Sequence, residues 1–192
     1  MANFEKLIPF IIKWETGVVL KKGETCEQLF ERARKSGFAN DPKDLGGATQ
    51  TGVTIGTYRA WCKKHKVSEP TLDNLKSIPY KTWMSILKEL YWDRWKADHI
   101  DSQSVADILV DFVWASGIHG IKKPQELLGV TPDGIVGNKT LAAVNSRGPV
   151  TLFHQLKALR IKFVEDIVKR SPSQKKWLNG WKNRIEDIKY VC

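Results

Sequence analysis

Asn40-Asp41-Pro42-Lys43-Asp44-Leu45-Gly46-Gly47-Ala48-Thr49-Gln50-Thr51-Gly52-Val53-Thr54 carries the only convincing β signal in this 192-residue chain. From Gly37 to Gly56, Gly, Asn, Asp and Pro dominate, and Thr and Val enter towards the end. That order predicts a structured loop followed by a short hairpin. The rest of the chain reads as helices. The expected class is mainly α, with one small β-hairpin.

Upstream of this stretch, Phe4, Leu7, Ile8, Ile11 and Ile12 fall on one stripe at helical spacing. Asn3 is the candidate N-cap. Pro9 predicts a kink or a delayed start, and Thr16-Gly17 supplies the stop. Glu15 extends the same apolar stripe, where a carboxylate is out of place. Thr25 and Gln28 spell a capping box for a second helix with Leu29, Phe30 and Ala33, ending near Gly37.

Downstream, helical patterns recur over 57–66, 79–95 and 102–116, the last closed by Gly117. Pro124 is placed in the first turn of a short helix that Gly129 closes. Pro132-Asp133-Gly134 reads as a turn, followed by helices over 138–144, 150–170 and 173–190. No low-complexity linker separates the parts, and the weakest seam lies near Ala97 to Ser102.

Lys and Arg total 31 against 21 acidic residues, a net charge of +10. Such a surface steers polyanions, but charge alone does not choose among nucleic acid, anionic membrane and cell wall. No groove-reading motif supports specific nucleic-acid binding. The three cysteines, Cys26, Cys62 and Cys192, cannot close a disulfide framework. No Cys/His spacing suggests a metal, and no cofactor is expected.

Among the eight Trp residues, Trp83, Trp177 and Trp181 sit on apolar stripes and are expected in the core. Trp14, Trp92 and Trp95 are the candidates for stacking on sugar rings. No apolar run reaches membrane-spanning length. Glu5 and Lys6 cancel, and no small-residue cleavage site follows the first apolar run. The expectation is synthesis in the cytoplasm without a recognisable signal peptide.

Glu15 is the first candidate for chemistry. A helix C-terminus carries partial negative charge. Burial and that dipole both disfavour a carboxylate there, the condition under which a glycosidase acid keeps its proton. A helix-end Glu that reaches to water is the plain alternative. Asp41 and Asp44 add carboxylates in a turn-rich segment, and Thr49, Thr51 and Thr54 follow. Acid plus carboxylate or positioned water is a workable hydrolytic set. Equally, the aspartates could bond their own backbone as Asx-turns.

Trp14-Glu15-Thr16-Gly17, then Asn40 to Thr49, then Gly52-Val53-Thr54 resembles glycoside hydrolase family 108, phage and bacterial N-acetylmuramidases of which some are labelled secretion activators. Tyr91-Trp92, Asp111-Phe112, Ser116-Gly117 and Gly180 to Arg184 agree further. The resemblance implies a lysozyme-like fold with Glu15 as catalytic acid, and it matches Asp41, Asp44 and Thr49 to the loop motif. Thr51, Trp14, Trp92 and Trp95 are the expected substrate contacts. The chain departs from the pattern twice. Thr16 stands where the family usually has Gly, and a segment of about twenty residues, roughly Val18 to Gly37, separates Glu15 from the loop.

Leu127 to Leu141 resembles the Asp-Gly-x-x-Gly-x-x-Thr core of peptidoglycan-binding helical modules, through Asp133, Gly134, Gly137 and Thr140. Gly134 and Gly137 permit a tight turn into a helix, which Asp133 could cap. A purely structural turn explains the same residues. The expected division is therefore 1–96, a lysozyme-like catalytic region, and 97–192, a peptidoglycan-binding-like helical region packed against it as a single compact unit.

The implied activity is cleavage of the β-1,4 bond between N-acetylmuramic acid and N-acetylglucosamine, acting on the wall after release or export. Lytic transglycosylation and a non-catalytic wall-binding or secretion-assisting role are the alternatives. The implied partner is peptidoglycan, with delivery by a holin or an export system.

Overall fold

The computed structural model describes residues 1–40 and 47–191. The chain divides into two units, Phe4–Leu90 and a second made of Met1–Asn3 with Tyr91–Cys192. Both are dominated by helices, with one small antiparallel sheet, in keeping with a mainly-α, lysozyme-like fold.

In Phe4–Leu90, a 3-10 turn at Phe4–Lys6 leads into α1 (Ile8–Thr16). Pro9 lies in the first turn, where a missing N–H breaks no helical bond. Leu7, not Asn3, occupies the cap position. Ile8, Ile11 and Ile12 are fully buried, and Gly17 ends the helix in the left-handed region (φ 73°).

α2 (Cys26–Arg34) belongs to the segment that separates Glu15 from the loop. Its capping box is formed as spelled, Thr25 with Gln28. Leu29, Phe30 and Ala33 are fully buried, and the Phe30 ring lies 5.1 Å from Trp83 and 5.6 Å from Tyr80. Burial pushes the Tyr80 hydroxyl up to about 12. Burying one such Leu or Phe stabilises by roughly 1.5–3 kcal/mol, so this segment is part of the core. Its start is pinned by Arg32, which bonds both oxygens of Glu24 and the carbonyl of Val19.

Three two-residue strands follow: β1 (Phe38–Ala39), β2 (Thr49–Gln50) and β3 (Val53–Thr54), antiparallel in that order. The expected hairpin is β2–β3. Its two-residue turn, Thr51-Gly52, takes φ 47° and 78°, the pair of positive values that matches strand twist. β1 adds a third strand, registered Phe38 to Gln50 and Ala39 to Thr49. Thr54 then caps α3 (Ile55–His65) through the Thr57 N–H. α4 (Leu72–Lys76) is a short helix with a Thr71–Asn74 capping box. α5 (Tyr80–Leu87) runs on as a π-helical segment, Lys88–Trp92.

In the second unit, residues 1–3 bond to the region before and within α6 (Gln103–Ser116). Ala2 N–H donates to the Ile100 carbonyl at 2.8 Å, and Asn3 exchanges bonds with the Gln103 side chain. α6 is capped by Ser102 and buried on nearly every side. α7 (His119–Leu128) and α9 (Pro149–Arg170) pack on it, while α8 (Asn138–Asn145) packs on α7 and α10 (Leu178–Asp187) on α9.

At Gly120 a Cβ would lie 2.4 to 2.6 Å from main-chain atoms of Phe112 and Val113. Glycine therefore lets α7 cross α6 backbone against backbone. Pro124 sits inside α7, not in its first turn as expected. The helical bond it cannot donate would end on the Gly120 carbonyl, which instead accepts the Trp95 indole N–H at 3.2 Å.

Phe112, Phe163, Val164 and Ile185 form a core cluster with Trp181 packed against it. Trp177, expected in the core, is 54% exposed on a 3-10 turn at Pro172–Trp177. Among the described residues, no helix is long and apolar enough to cross a membrane.

Candidate active site

Glu15 occupies the last turn of α1, one turn beyond the fully buried Ile11 and Ile12. Its side chain is half-buried, less enclosed than the apolar stripe predicts. Two bonds fix the chain beyond it. Gly17 N–H donates to the Lys13 carbonyl at 2.8 Å, and the Thr16 hydroxyl donates to the Ile12 carbonyl at 2.8 Å. The same hydroxyl accepts from Val18 N–H at 3.2 Å. Thr16, where the family pattern has Gly, thus ties the helix end to the start of the extra segment. Trp14 is half-buried, its ring 6.4 Å from Phe10 and 5.8 Å from the Lys13 ammonium.

Asp41 and Asp44 lie outside the described residues. The chain on either side is paired, since Ala39 faces Thr49 and Phe38 faces Gln50. Thr49 is half-buried on β2, also opposite Thr54. Thr51, expected to touch substrate, is fully buried. Its hydroxyl donates to the Gln50 side chain at 3.2 Å, its N–H to the Gly37 carbonyl at 3.0 Å, and its carbonyl accepts from the Trp83 indole at 3.0 Å. Every polar group of Thr51 is spent inside the protein, so it holds the turn and meets no sugar.

Gln50 is the residue that no motif announces. Fully buried, its amide donates to the carbonyls of Lys76 (2.7 Å) and Arg34 (3.2 Å), at the ends of α4 and α2. One side chain thereby joins two helix ends to the strand that carries Thr49. Gly37 leaves room for it, because a Cβ there would lie 2.8 Å from the Gln50 side-chain oxygen and 2.7 Å from the Thr51 hydroxyl.

Trp92 and Trp95 also depart from expectation. Both are fully buried. Trp92 donates to the Asp98 carboxylate at 2.8 Å and Trp95 to Gly120 as above. A ring enclosed on all sides offers no face for a sugar to stack on, so these two are core residues. Trp14 is left as the candidate stacking ring.

In the second unit the Asp133–Thr140 motif is bonded internally around Gln125. That buried side chain accepts from Gly134 N–H at 2.9 Å and donates to the Asp133 carboxylate, the Ile135 carbonyl and the Thr140 hydroxyl. Asp133 accepts from Ile135 N–H at 2.8 Å, and these bonds hold its carboxyl below the usual range. It closes an Asx-turn. α8 begins at Gly137 without a side-chain cap. Gly134 is required by φ 81°.

Among the described residues no group of three His, Cys, Asp or Glu could hold a metal. Among the described residues, Glu15 contributes a half-buried carboxyl and Thr49 a half-buried threonine on β2.

Comparison with known proteins finds two family models that match this chain. Residues 32–117 match the family model Glycosyl hydrolase 108, and residues 119–186 match Predicted Peptidoglycan domain. The first match begins after Glu15, beyond most of the extra segment. A solved structure titled "Structure of Brucella abortus SagA" is 25% identical, covering 96% of this chain and 90% of that one, with a TM-score of 0.73. A search of curated proteins finds no match.

Proposed function

We propose that this chain, which matches Glycosyl hydrolase 108 over residues 32–117 and Predicted Peptidoglycan domain over residues 119–186, is an N-acetylmuramidase with Glu15 as its general acid. The observation that carries the reading is the position of Glu15 on the last turn of α1, one turn beyond the buried Ile11 and Ile12, where the Gly17 and Thr16 bonds fix the helix end. It stands in the same unit as the paired strands that frame the Asn40–Thr49 motif.

In this reading Glu15 protonates the glycosidic oxygen as the bond to the N-acetylmuramic acid C1 breaks. Water adds to C1, and its proton returns to Glu15. Asp41 and Asp44 supply the second carboxylate, which stabilises the developing positive charge or orients the water. Thr49 presents a hydroxyl from the strand that ends their loop, and Trp14 stacks on a sugar ring. Asp133, Gly134, Gly137 and Thr140 serve wall binding by holding the turn rather than by touching the ligand. The enzyme acts on the wall after release or export, by a holin or an export system.

The test is digestion of purified peptidoglycan with product ends read by mass spectrometry. Reducing N-acetylmuramic acid ends are expected. Anhydro ends would make the chain a lytic transglycosylase, and an undigested wall with protein bound would make it a non-catalytic wall-binding protein.

A further inference from the structure

The run Lys169-Arg170-Ser171-Pro172-Ser173-Gln174-Lys175-Lys176-Trp177 joins the end of α9 to the 3-10 turn before α10. It holds four cations and no acid. Lys169 shares Asp166 with Lys162 at 3.4 Å, and Arg170 donates to the Asp166 main-chain carbonyl. Lys175 and Lys176 are exposed and stand in no ion pair among the described residues. Trp177 is 54% exposed beside them, a large apolar ring left in water by a protein that buries Trp83, Trp92 and Trp95 completely.

We propose that this turn is a docking surface for an anionic phospholipid bilayer. Indole rings settle at the headgroup level, where one end is apolar and the other wet, and flanking ammonium and guanidinium groups meet lipid phosphates. The Lys176 ammonium lies 5.0 Å from the Trp177 ring centroid, over its face. Flat stacking of a sugar on that face would have to displace the cation. A bilayer interface accommodates ring and cation together. This surface goes beyond the hydrolytic reading and does not depend on it. It would hold the protein at the membrane bordering its substrate.

The test is cosedimentation of the full chain with vesicles of phosphatidylcholine alone and of phosphatidylcholine with phosphatidylglycerol. It is run for the wild type and for Glu15→Gln, so that failure of the hydrolytic reading does not affect it. Binding is expected only to the anionic vesicles, weakening as salt rises. Lys175→Gln and Lys176→Gln should each weaken it by about fivefold. Trp177→Ala should weaken it too and remove quenching of Trp fluorescence by brominated lipid. Circular dichroism checks the fold of these surface variants. Equal binding by wild type and the double Lys variant would overturn the proposal, as would binding to neither vesicle or to both alike. Loss of binding to purified cell wall with vesicle binding intact would also overturn it, by assigning the patch to the wall polymer.

Discussion

The indole N–H of Trp83 donates to the main-chain carbonyl of Thr51 over 3.0 Å, and both residues are fully buried. Thr51 is one of three described non-glycine residues with positive φ, a conformation that costs roughly 1 kcal/mol or more. The bonds from Trp83 and to Gly37 and Gln50 hold it there. The turn after Thr49 is therefore set by a side chain from α5. Trp83→Phe keeps most of the ring but strands a buried carbonyl, and should destabilise by about 2–3 kcal/mol. Chemical denaturation of the two proteins reads this directly. A change within error would show that the bond does not hold the turn.

Gly120→Ala should be among the most damaging single-methyl changes in the protein. The new Cβ meets main-chain atoms of Phe112 and Val113 at 2.4 to 2.6 Å, and backbone cannot rotate away. About 3 kcal/mol or more of destabilisation is expected, at the upper end of overpacking. Displacing the Gly120 carbonyl should also disturb Trp95, so near-ultraviolet circular dichroism should change along with the melting temperature.

Asp111 is fully buried between Arg160 at 2.7 Å and Arg184 at 2.8 Å. Burial opposes its charge, but the two guanidinium groups outweigh it and hold the carboxyl below the usual range. Asp111→Asn leaves Arg160, itself buried and lying over the Phe112 ring at 5.1 Å, without its carboxylate. A loss of about 3–5 kcal/mol is expected. The folded value lies below the unfolded one, so the ion pairs contribute fully above the ordinary carboxylate range. Their contribution fades as pH falls through the depressed value.

Glu89, in the π-helical segment, accepts from Lys64 at 2.6 Å, from Ser85, and pairs with His65 at 3.0 Å. Burial alone would raise its carboxyl, and these bonds bring it down to about 2 from the usual 4.5. Its contribution is complete above pH 4.5 and is lost as pH falls from 4.5 towards 2. Lys64 is more than half exposed, so solvent screens the pair, and Glu89→Gln should cost only about 1 kcal/mol at neutral pH. The cost should shrink across that acid window in a series of denaturation curves. An equal difference at every pH would remove Glu89 from the acid response.

Local signals were legible where their partners are local. The Thr25–Gln28 capping box and the Gly17 and Gly129 stops stand as the residues spell them. What the sequence hides depends on distant partners. Pro124 fits inside α7 because Trp95, twenty-nine positions earlier by number, takes the carbonyl that the proline leaves. Trp92 and Trp95 have the composition of sugar platforms but the burial of core residues, and Trp177 has the reverse fate. Gln50 and Gln125 look like ordinary polar positions, yet each gathers a turn around one buried amide. At the candidate site, the place of Glu15 at the end of α1 was readable from periodicity, whereas its half-buried state and the Thr16 bonds were not.

The central claim, that Glu15 is the acid, is tested most directly by the rate at which Glu15→Gln and wild type release reducing sugar from purified peptidoglycan. Both proteins should first show equal melting temperatures and equal wall binding. A fall on the order of a hundredfold or more, with binding unchanged, is the expected result for loss of a general acid. Release at the wild-type rate would contradict it and move the chemistry to another residue.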